Sequence, residues 1–437
     1  MNFRRSTLVP LAMLLVACAS GGDDGVTPVS TAPTVKFTFS KLGVVYGAPV
    51  DLTVAVDDED GDKLTVNWSI TRGTLTEQNA GRTVMRWATP NTVGVDTVTI
   101  TVSDGTHTRT IRPVVKVGWP AGAGGATLSN YQKIRSPYIV TLPEADPNLT
   151  VLAGTTTTVE PGTEFLFDTE GSTLRVLGLL EAHGTVDLPI VFRPNDRTFQ
   201  CGEQRGWWEG FLGDTDDGVG TGGDIDFEYV EIWYAQNGVR LRSQASATLR
   251  DCTIRCSGDA GVLMEGFGRL AILDSQINNG RVDGVAIAAI TSLPDSVHIE
   301  GCDIGINGNA GLRMDLKDLA QEVPIVVEYN KIEFNATTGI SLGNSVFPRI
   351  HFNHFAGNGE SSVSNIYLQS GYPGTVDVDT LDASCNFWGS VVGSQATIDV
   401  TIHDSLDAAG VGTRVWPRPW LNASPLTTTP ACTPGGP

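Results

Sequence analysis

The chain has 437 residues, with 29 Lys plus Arg against 49 Asp plus Glu and a net charge of −20. Such a surface repels phosphates and excludes nucleic acid as a partner. With 50 glycines and 18% charged residues the composition suits strands and turns, and no stretch of the body sustains a helical period.

The chain opens on a leader. Arg4 and Arg5 precede an apolar run over 8–16, too short to span a bilayer. The run ends in Leu15-Val16-Ala17-Cys18. This resembles the lipobox of bacterial lipoproteins, which are cut before the Cys and carry diacylglycerol on its thiol. The resemblance implies a signal peptide over 1–18, lipidation of Cys18 and attachment of a soluble body to a membrane of the cell envelope. Ala19, in place of the Asp that retains such proteins at the inner membrane, favours the outer membrane or cell surface. Residues 19–33 then read as a flexible tether.

From 34 to 118 apolar and polar residues alternate over 35–39, 50–54, 64–68 and 96–102. Turn signals at Asp60-Gly61 and Asp104-Gly105 separate these strands, which predicts a β-sandwich. The segment resembles PKD-like and cadherin-like immunoglobulin modules at Leu64-Thr65, Trp68, Trp87-Ala88-Thr89-Pro90 and Val102-Ser103-Asp104-Gly105. That implies a surface spacer or weak binder. Asp57, Asp60 and Asp62 offer oxygen ligands for Ca²⁺, and they equally suit a tight turn. The Pro/Gly/Ala composition of 119–126 predicts a linker.

Residues 127–421 carry a two-part repeat. One part reads Leu249-Arg250-Asp251-Cys252-Thr253-Ile254 and returns as Ile272 to Ile277, Ile299 to Ile304, Val327 to Ile332 and Ile350 to Phe355. The other reads Gly238-Val239-Arg240-Leu241 and returns at Gly261, Gly284, Gly311 and Gly339. Units this short cannot bury an apolar face alone, so they stack as a solenoid. Alternation turns both apolar residues of Gly-Val-x-Leu inward. Asn330 and Asn353 share one turn position, where stacked side chains bond from coil to coil, and Cys252, Ser275 and Cys302 fill that column earlier. The expected fold is all-β: a parallel β-helix after a β-sandwich, with a loose tail over 422–437.

The ends of this region resemble bacterial right-handed parallel β-helix proteins of the pectate-lyase-like fold. The matching residues are Glu160-Pro161-Gly162-Thr163, Trp207-Trp208-Glu209-Gly210, Cys385-Asn386-Phe387-Trp388-Gly389 and Trp416-Pro417-Arg418-Pro419-Trp420. That family contains polysaccharide lyases, glycoside hydrolases, epimerases and adhesins. The resemblance places a groove on the outward residues of the Gly-led strand. These are Arg240 and Arg242, Leu263 and Glu265, Ala286 and Ala288, Arg313 and Asp315, Ser341 and Gly343, and Tyr367 and Gln369. A lyase needs a base and a cation against the enolate, for which Glu265, Asp315 and Arg313 are the candidates. Arg240, Arg242, Tyr367 and Trp233 are the candidate ligand contacts. Trp207 and Trp208 either stack on sugars or cap the early coils. His351 and His354 stand three apart without a matching metal-ligand pattern.

Lipidation of Cys18 leaves six cysteines. Cys252 and Cys302 lie two coils apart, about 9–10 Å, which is beyond disulfide reach and marks them as buried thiols. Cys201, Cys256, Cys385 and Cys432 allow three pairings. A Cys385–Cys432 bond would pin the tail to the last coil. The functional expectation is a monomeric, membrane-anchored surface lipoprotein whose β-helix binds polysaccharide or a partner protein without catalysis. The alternatives are a polysaccharide lyase or related enzyme, and a structural envelope component.

Overall fold

The computed structural model describes residues 30–121, 130–215, 222–288, 294–316, 324–343, 347–359, 365–369, 380–389, 395–404 and 414–421, with 407, 424–426 and 432. The leader, Cys18 and most of the tether lie outside the described residues. Among the described residues one short helix, Gln395–Asp399, and one 3₁₀ turn, Lys133–Arg135, interrupt an otherwise all-β architecture. No described helix is long and apolar enough to cross a membrane.

Nine strands build the N-terminal module: β1 (Thr34–Phe37), β2 (Gly43–Val45), β3 (Pro49–Asp57), β4 (Thr65–Ile70), β5 (Thr74–Glu77), β6 (Val84–Ala88), β7 (Gly94–Ser103), β8 (Thr108–Ile111) and β9 (Val114–Ala121). One sheet runs β1-β3-β6-β5. The other carries β4, β7, β8 and β9, with β2 parallel to β9. Alternation places Leu52, Trp87, Val98, Ile100, Val102 and Val115 between the sheets, fully buried. Trp87 donates its ring N–H to the Arg72 carbonyl at 2.9 Å, which satisfies the one polar atom of a buried indole.

β9 does not stop where the module ends. Trp119–Ala121 pair in parallel with β10 (Tyr138–Val140), the first strand of the solenoid. The expected linker over 119–126 therefore begins inside a strand, because these residues find ladder partners that a linker lacks. A single sheet runs from β4 and β7 through β9 and β10 to the last coils. Side chains lock the joint. Asn195 accepts the Gly43 N–H at 2.8 Å and donates to the Gly43 carbonyl at 2.9 Å. Arg197 donates to the carbonyls of Lys41 at 2.6 Å and Val114 at 3.0 Å. Lys41 pairs with Asp168 at 2.6 Å, and Lys116 with Glu164. Gly43 has no room for a side chain, since a Cβ would come within 2.8 Å of Leu166 and 2.9 Å of Ile139.

The solenoid has three faces of parallel strands, taken in turn by each coil. Face A holds Tyr138–Val140 through His354–Ala356, face B holds Asn148–Val151 through Ile402–His403, and face C holds Thr156–Val159 through Arg349–His351. Like residues stack in register. On face A, Ile254 lies over Ile277, then Ile304, Ile332 and Phe355. On face B, Val262 lies over Val285, then Leu312, Ile340 and Ile366. Burying each such side chain contributes about 1.5–3 kcal/mol. Trp208 is also fully buried, stacked on Phe167 at 4.2 Å, so it is core rather than a sugar platform.

Two buried ladders run along the corners. Between faces C and A, Cys302 N–H donates to Asn330 Oδ1 at 2.9 Å, Asn330 N–H to Asn353 at 3.0 Å, and Asn353 N–H to Asn386 at 2.8 Å. Cys252 N–H donates to Ser275 Oγ at 3.0 Å in the same column. Between faces A and B a second ladder joins Gly280 N–H to Asn307, Asn307 to Asn335 and Asn335 to Asn358, at 3.0, 3.2 and 3.2 Å. Before each ladder step the backbone turns through a left-handed residue. Tyr229, Asp251, Asp274, Gly301, Tyr329 and Phe352 form one such column, and Tyr234, Cys256, Asn279, Ile306 and Phe334 the other.

Cys201 is bonded to Cys256, and Cys385 to Cys432. Cys252 and Cys302 are free and buried. Burial pushes both thiols up to about 12.

Two expectations follow from this packing. A non-reducing peptide map recovers 201–256 and 385–432 as linked pairs, and Cys252 and Cys302 take up alkylating agent only after denaturation. Calorimetry of Asn195→Ala shows a loss of about 2–4 kcal/mol, because two buried backbone groups lose their partner. It also shows a single melting transition separating into two.

Candidate functional site

Face B presents the outward column that the sequence points to, in the expected register: Arg240, Leu263, Ala286, Arg313, Ser341 and Tyr367 are successive neighbours. The structure does not bring Glu265 and Arg313 together. Glu265 is clamped by Arg240 at 2.7 and 3.0 Å and by Arg242 at 3.2 Å. Those hydrogen bonds, Arg240 first, hold its carboxyl below the ordinary value of 4.5, so it is a weak base. Arg313 lies two coils further on and binds Asp283 at 2.7 Å. Asp283 is buried and also accepts from Asn309 at 2.7 Å and from the Ala310 N–H at 3.2 Å. Asp315 stands opposite Gly343, where a Cβ would come within 3.0 Å of its Oδ1. A base on Glu265 and a cation on Arg313 are therefore about 10 Å apart by coil spacing, too far to share one sugar carbon.

Among the described residues the column is closed at Ala286. Ala286 is fully buried and Leu263 nearly so, packed with Ala260 and Ala288. The candidate ligand contacts are engaged internally. Tyr367 stacks on His403 at 4.6 Å, and Trp233 donates to Glu231 at 3.1 Å beneath the Arg255 guanidinium at 5.6 Å.

Face A and its corner with face B look different in the last coils. Ile306 and Phe334 are 58% and 60% exposed, at equivalent positions of successive coils. Both occupy left-handed backbone, at φ 58° and 55°. The left-handed turn is common to this corner in successive coils, so what sets these two positions apart is the large apolar side chain left exposed on it. The Phe334 ring lies over Gly357 of the next coil, where a Cβ would come within 2.6 Å of it. Beside this apolar pair, the strands Asp303–Gly305, Lys331–Glu333 and His354–Ala356 present a polar strip. Lys331 bridges Glu333 at 2.9 Å and Asp303 at 3.5 Å, and His354 Nε2 lies 3.1 Å from Glu333. At the opposite corner the Tyr329 and Phe352 rings stack at 5.0 Å. His351 sits between Asp382 at 3.3 Å and Glu328 at 3.7 Å.

None of these groupings was read from the sequence. The signal for Ile306 and Phe334 is present, however, as an apolar residue two past the inward Ile304 and Ile332, where the strand has ended.

In the N-terminal module the acidic cluster is Asp58, Asp60 and Asp62, rather than a set with Asp57. Asp57 closes β3 in backbone pairing with Thr34. Asp58 Oδ1 accepts the N–H groups of Asp60 and Asp62 at 3.1 Å each, and Asp60 is held by Thr31. These bonds describe a side-chain-capped turn.

With this geometry in view, two family models match the chain. Residues 218–373 match the right-handed β-helix region, and residues 27–115 match the bacterial Ig domain. The chain carries a bacterial Ig domain followed by a right-handed β-helix. No curated protein and no solved structure matches it. The β-helix family suggests a carbohydrate-related or surface role.

The Glu265 clamp has a pH signature. A carboxyl depressed below its unfolded value adds stability above about pH 4.5, and that contribution disappears as pH falls through the lower folded value. Urea midpoints should therefore separate native protein from Glu265→Gln at pH 7, and the gap should narrow as pH falls below 4.5.

Proposed function

We propose that this is a lipid-anchored surface protein, held through Cys18, whose β-helix binds an extended, uncharged glycan. The binding face is the corner of faces A and B. Phe334 and Ile306 supply an apolar ledge one coil deep, and the polar strip of Lys331, Glu333 and Asp303 supplies hydrogen-bonding partners for hydroxyls. The observation that carries this reading is the pair of large apolar side chains left exposed at one corner in successive coils. A pyranose ring has an apolar face and a rim of hydroxyls, and that ledge-and-strip arrangement matches it.

Charge argues for an uncharged ligand. A surface at −20 repels uronates. The arginines Arg240, Arg242 and Arg313 of face B, which a uronate carboxylate would need, are already bound to Glu265 and Asp283. Uronate lyase chemistry in that column has no support in this geometry.

Retardation of the full chain in gels containing neutral or acylated glycans tests the reading. Phe334→Ala should weaken retention about tenfold or more, because a buried aromatic contact of this kind is worth about 1–3 kcal/mol. Equal retention of both proteins on every glycan that binds would remove the ledge from the account.

A further inference from the structure

Three side chains from three separate elements meet at the end of face A. His354 lies on His354–Ala356, Glu333 lies one coil back on Lys331–Glu333, and Ser424 comes from the C-terminal tail. Ser424 Oγ is 2.9 Å from His354 Nδ1. His354 Nε2 is 3.1 Å from Glu333 Oε1. One tautomer serves both contacts. With the proton on Nε2, the ring donates to Glu333, and the free Nδ1 lone pair accepts the Ser424 hydroxyl proton.

The supporting groups fix this arrangement. Glu333 is 8% exposed, and its other oxygen is held by Lys331 Nζ at 2.9 Å. The Phe387 ring meets the imidazole edge-on at 4.8 Å. The tail is tied on both sides of Ser424. Leu421 N–H donates to the Asn386 carbonyl at 2.9 Å, and Cys432 is bonded to Cys385. Burial, reinforced by Lys331 and opposed by Glu333, keeps His354 below its ordinary 6.5. The imidazole is thus neutral at pH 7, the form a general base requires.

We propose that Ser424, His354 and Glu333 form an acyl-transfer site that hydrolyses carboxylic esters. A nucleophile bonded to a base, and a base bonded to a buried orienting carboxylate, are the proton-relay parts of such a site. Here the serine uses Nδ1 and the carboxylate Nε2. Ser424 Oγ attacks the ester carbonyl carbon as its proton passes to His354 Nδ1. Glu333 stabilises the imidazolium. The carbon–oxygen bond to the alcohol breaks, and the alcohol leaves with that proton. Water, deprotonated by His354, then attacks the acyl group. The carboxylic acid departs, and the proton returns to Ser424. One ester and one water give one acid and one alcohol. The site lies next to Phe334, so the natural substrate class is an acyl ester carried on a glycan. That last assignment rests on the binding reading above, whereas the chemistry of the site does not.

The test uses small probes that need no glycan. The full chain is incubated with a fluorophosphonate and, separately, with p-nitrophenyl acetate, and the adduct is located by peptide mass. A single adduct on Ser424 is expected. Labelling should rise as His354 loses its proton, with the half-rise below pH 6.5. Glu333 and Lys331, one coil back, are the charged groups that act on the ring, and Asp303 reaches Lys331 from a coil further back. Ser424→Ala should abolish the adduct and ester turnover. His354→Ala should slow both by about 10²–10⁴, and Glu333→Gln by a smaller factor, with the thermal midpoint recorded for each variant. If Ser424 merely fastens the tail, native protein gives no adduct there, and Ser424→Ala lowers only the melting temperature. That result, or equal labelling of native protein and a folded His354→Ala, overturns the proposal. A positive adduct with no glycan retention would leave the chemistry standing and the glycan reading without support.

Discussion

The spacing between parallel coils, about 4.8 Å, governs this molecule. It places each residue directly over its counterpart one turn earlier, so the needs of one coil are met by the next. A corner that turns away from strand geometry exposes a backbone N–H to the interior, and no water reaches it there. The side chain of the next coil must accept that hydrogen. Asn330, Asn353 and Asn386 do this with one amide each, accepting with Oδ1 from the coil before and donating with Nδ2 to carbonyls of Ile299, Val327 and Ile350. Cys302 and Cys252 stand in the same column with only an S–H to donate, to the Glu300 and Arg250 carbonyls. The ladder thus tolerates a poorer donor where the following coil still accepts the backbone hydrogen.

A solenoid built this way has an unpaired edge at its first coil, and an unpaired edge invites aggregation. The Ig domain covers that edge on face A by extending its own sheet into the β-helix through β9 and β10. The two domains are joined by a ladder, by Asn195 clasping Gly43, and by two lysine–carboxylate pairs. This domain does more than hold the solenoid at a distance. It is the terminal repeat that the solenoid lacks, built in a different fold. At the other end the Cys385–Cys432 bond fastens Cys432 to the last coil.

The architecture was legible because it depends on local pattern. Alternation within Gly-Val-x-Leu fixed the inward residues and the outward column of face B, and Asn330 and Asn353 announced one ladder. The ladder through Asn307, Asn335 and Asn358 follows the same logic three residues past the strand core and was there to be read. The site residues were not legible for a physical reason. What decides the chemistry of Arg313 is Asp283, 30 residues earlier, and what decides that of His354 is Glu333 and a serine 70 residues later. Coil lengths vary, so the chain separation of stacked partners varies with them, and no fixed spacing links a base to its carboxylate. The Ig–solenoid joint was hidden similarly, since Gly/Ala/Pro composition after Trp119 reads as a linker while the strand partners lie elsewhere.

Charge placement carries a further consequence. Of the six histidines, His107, His183, His298, His351 and His354 each face a carboxylate, and His403 stacks on Tyr367. The face B arginines are likewise neutralised in place. An acidic molecule whose face B arginines are held by its own carboxylates offers an anionic partner little attraction there, and it pays desolvation on any acidic ligand it meets. Recognition must then come from shape, hydroxyl-directed hydrogen bonds and apolar contact. Phe334 and Ile306 are the large side chains the β-helix leaves out of its own packing in that region, and they stand within one residue and one coil of the Glu333–His354 pair. Binding and chemistry, if both act on one ligand, meet at that corner because among the described residues of face A it is where an exposed ring adjoins a base held by a buried carboxylate.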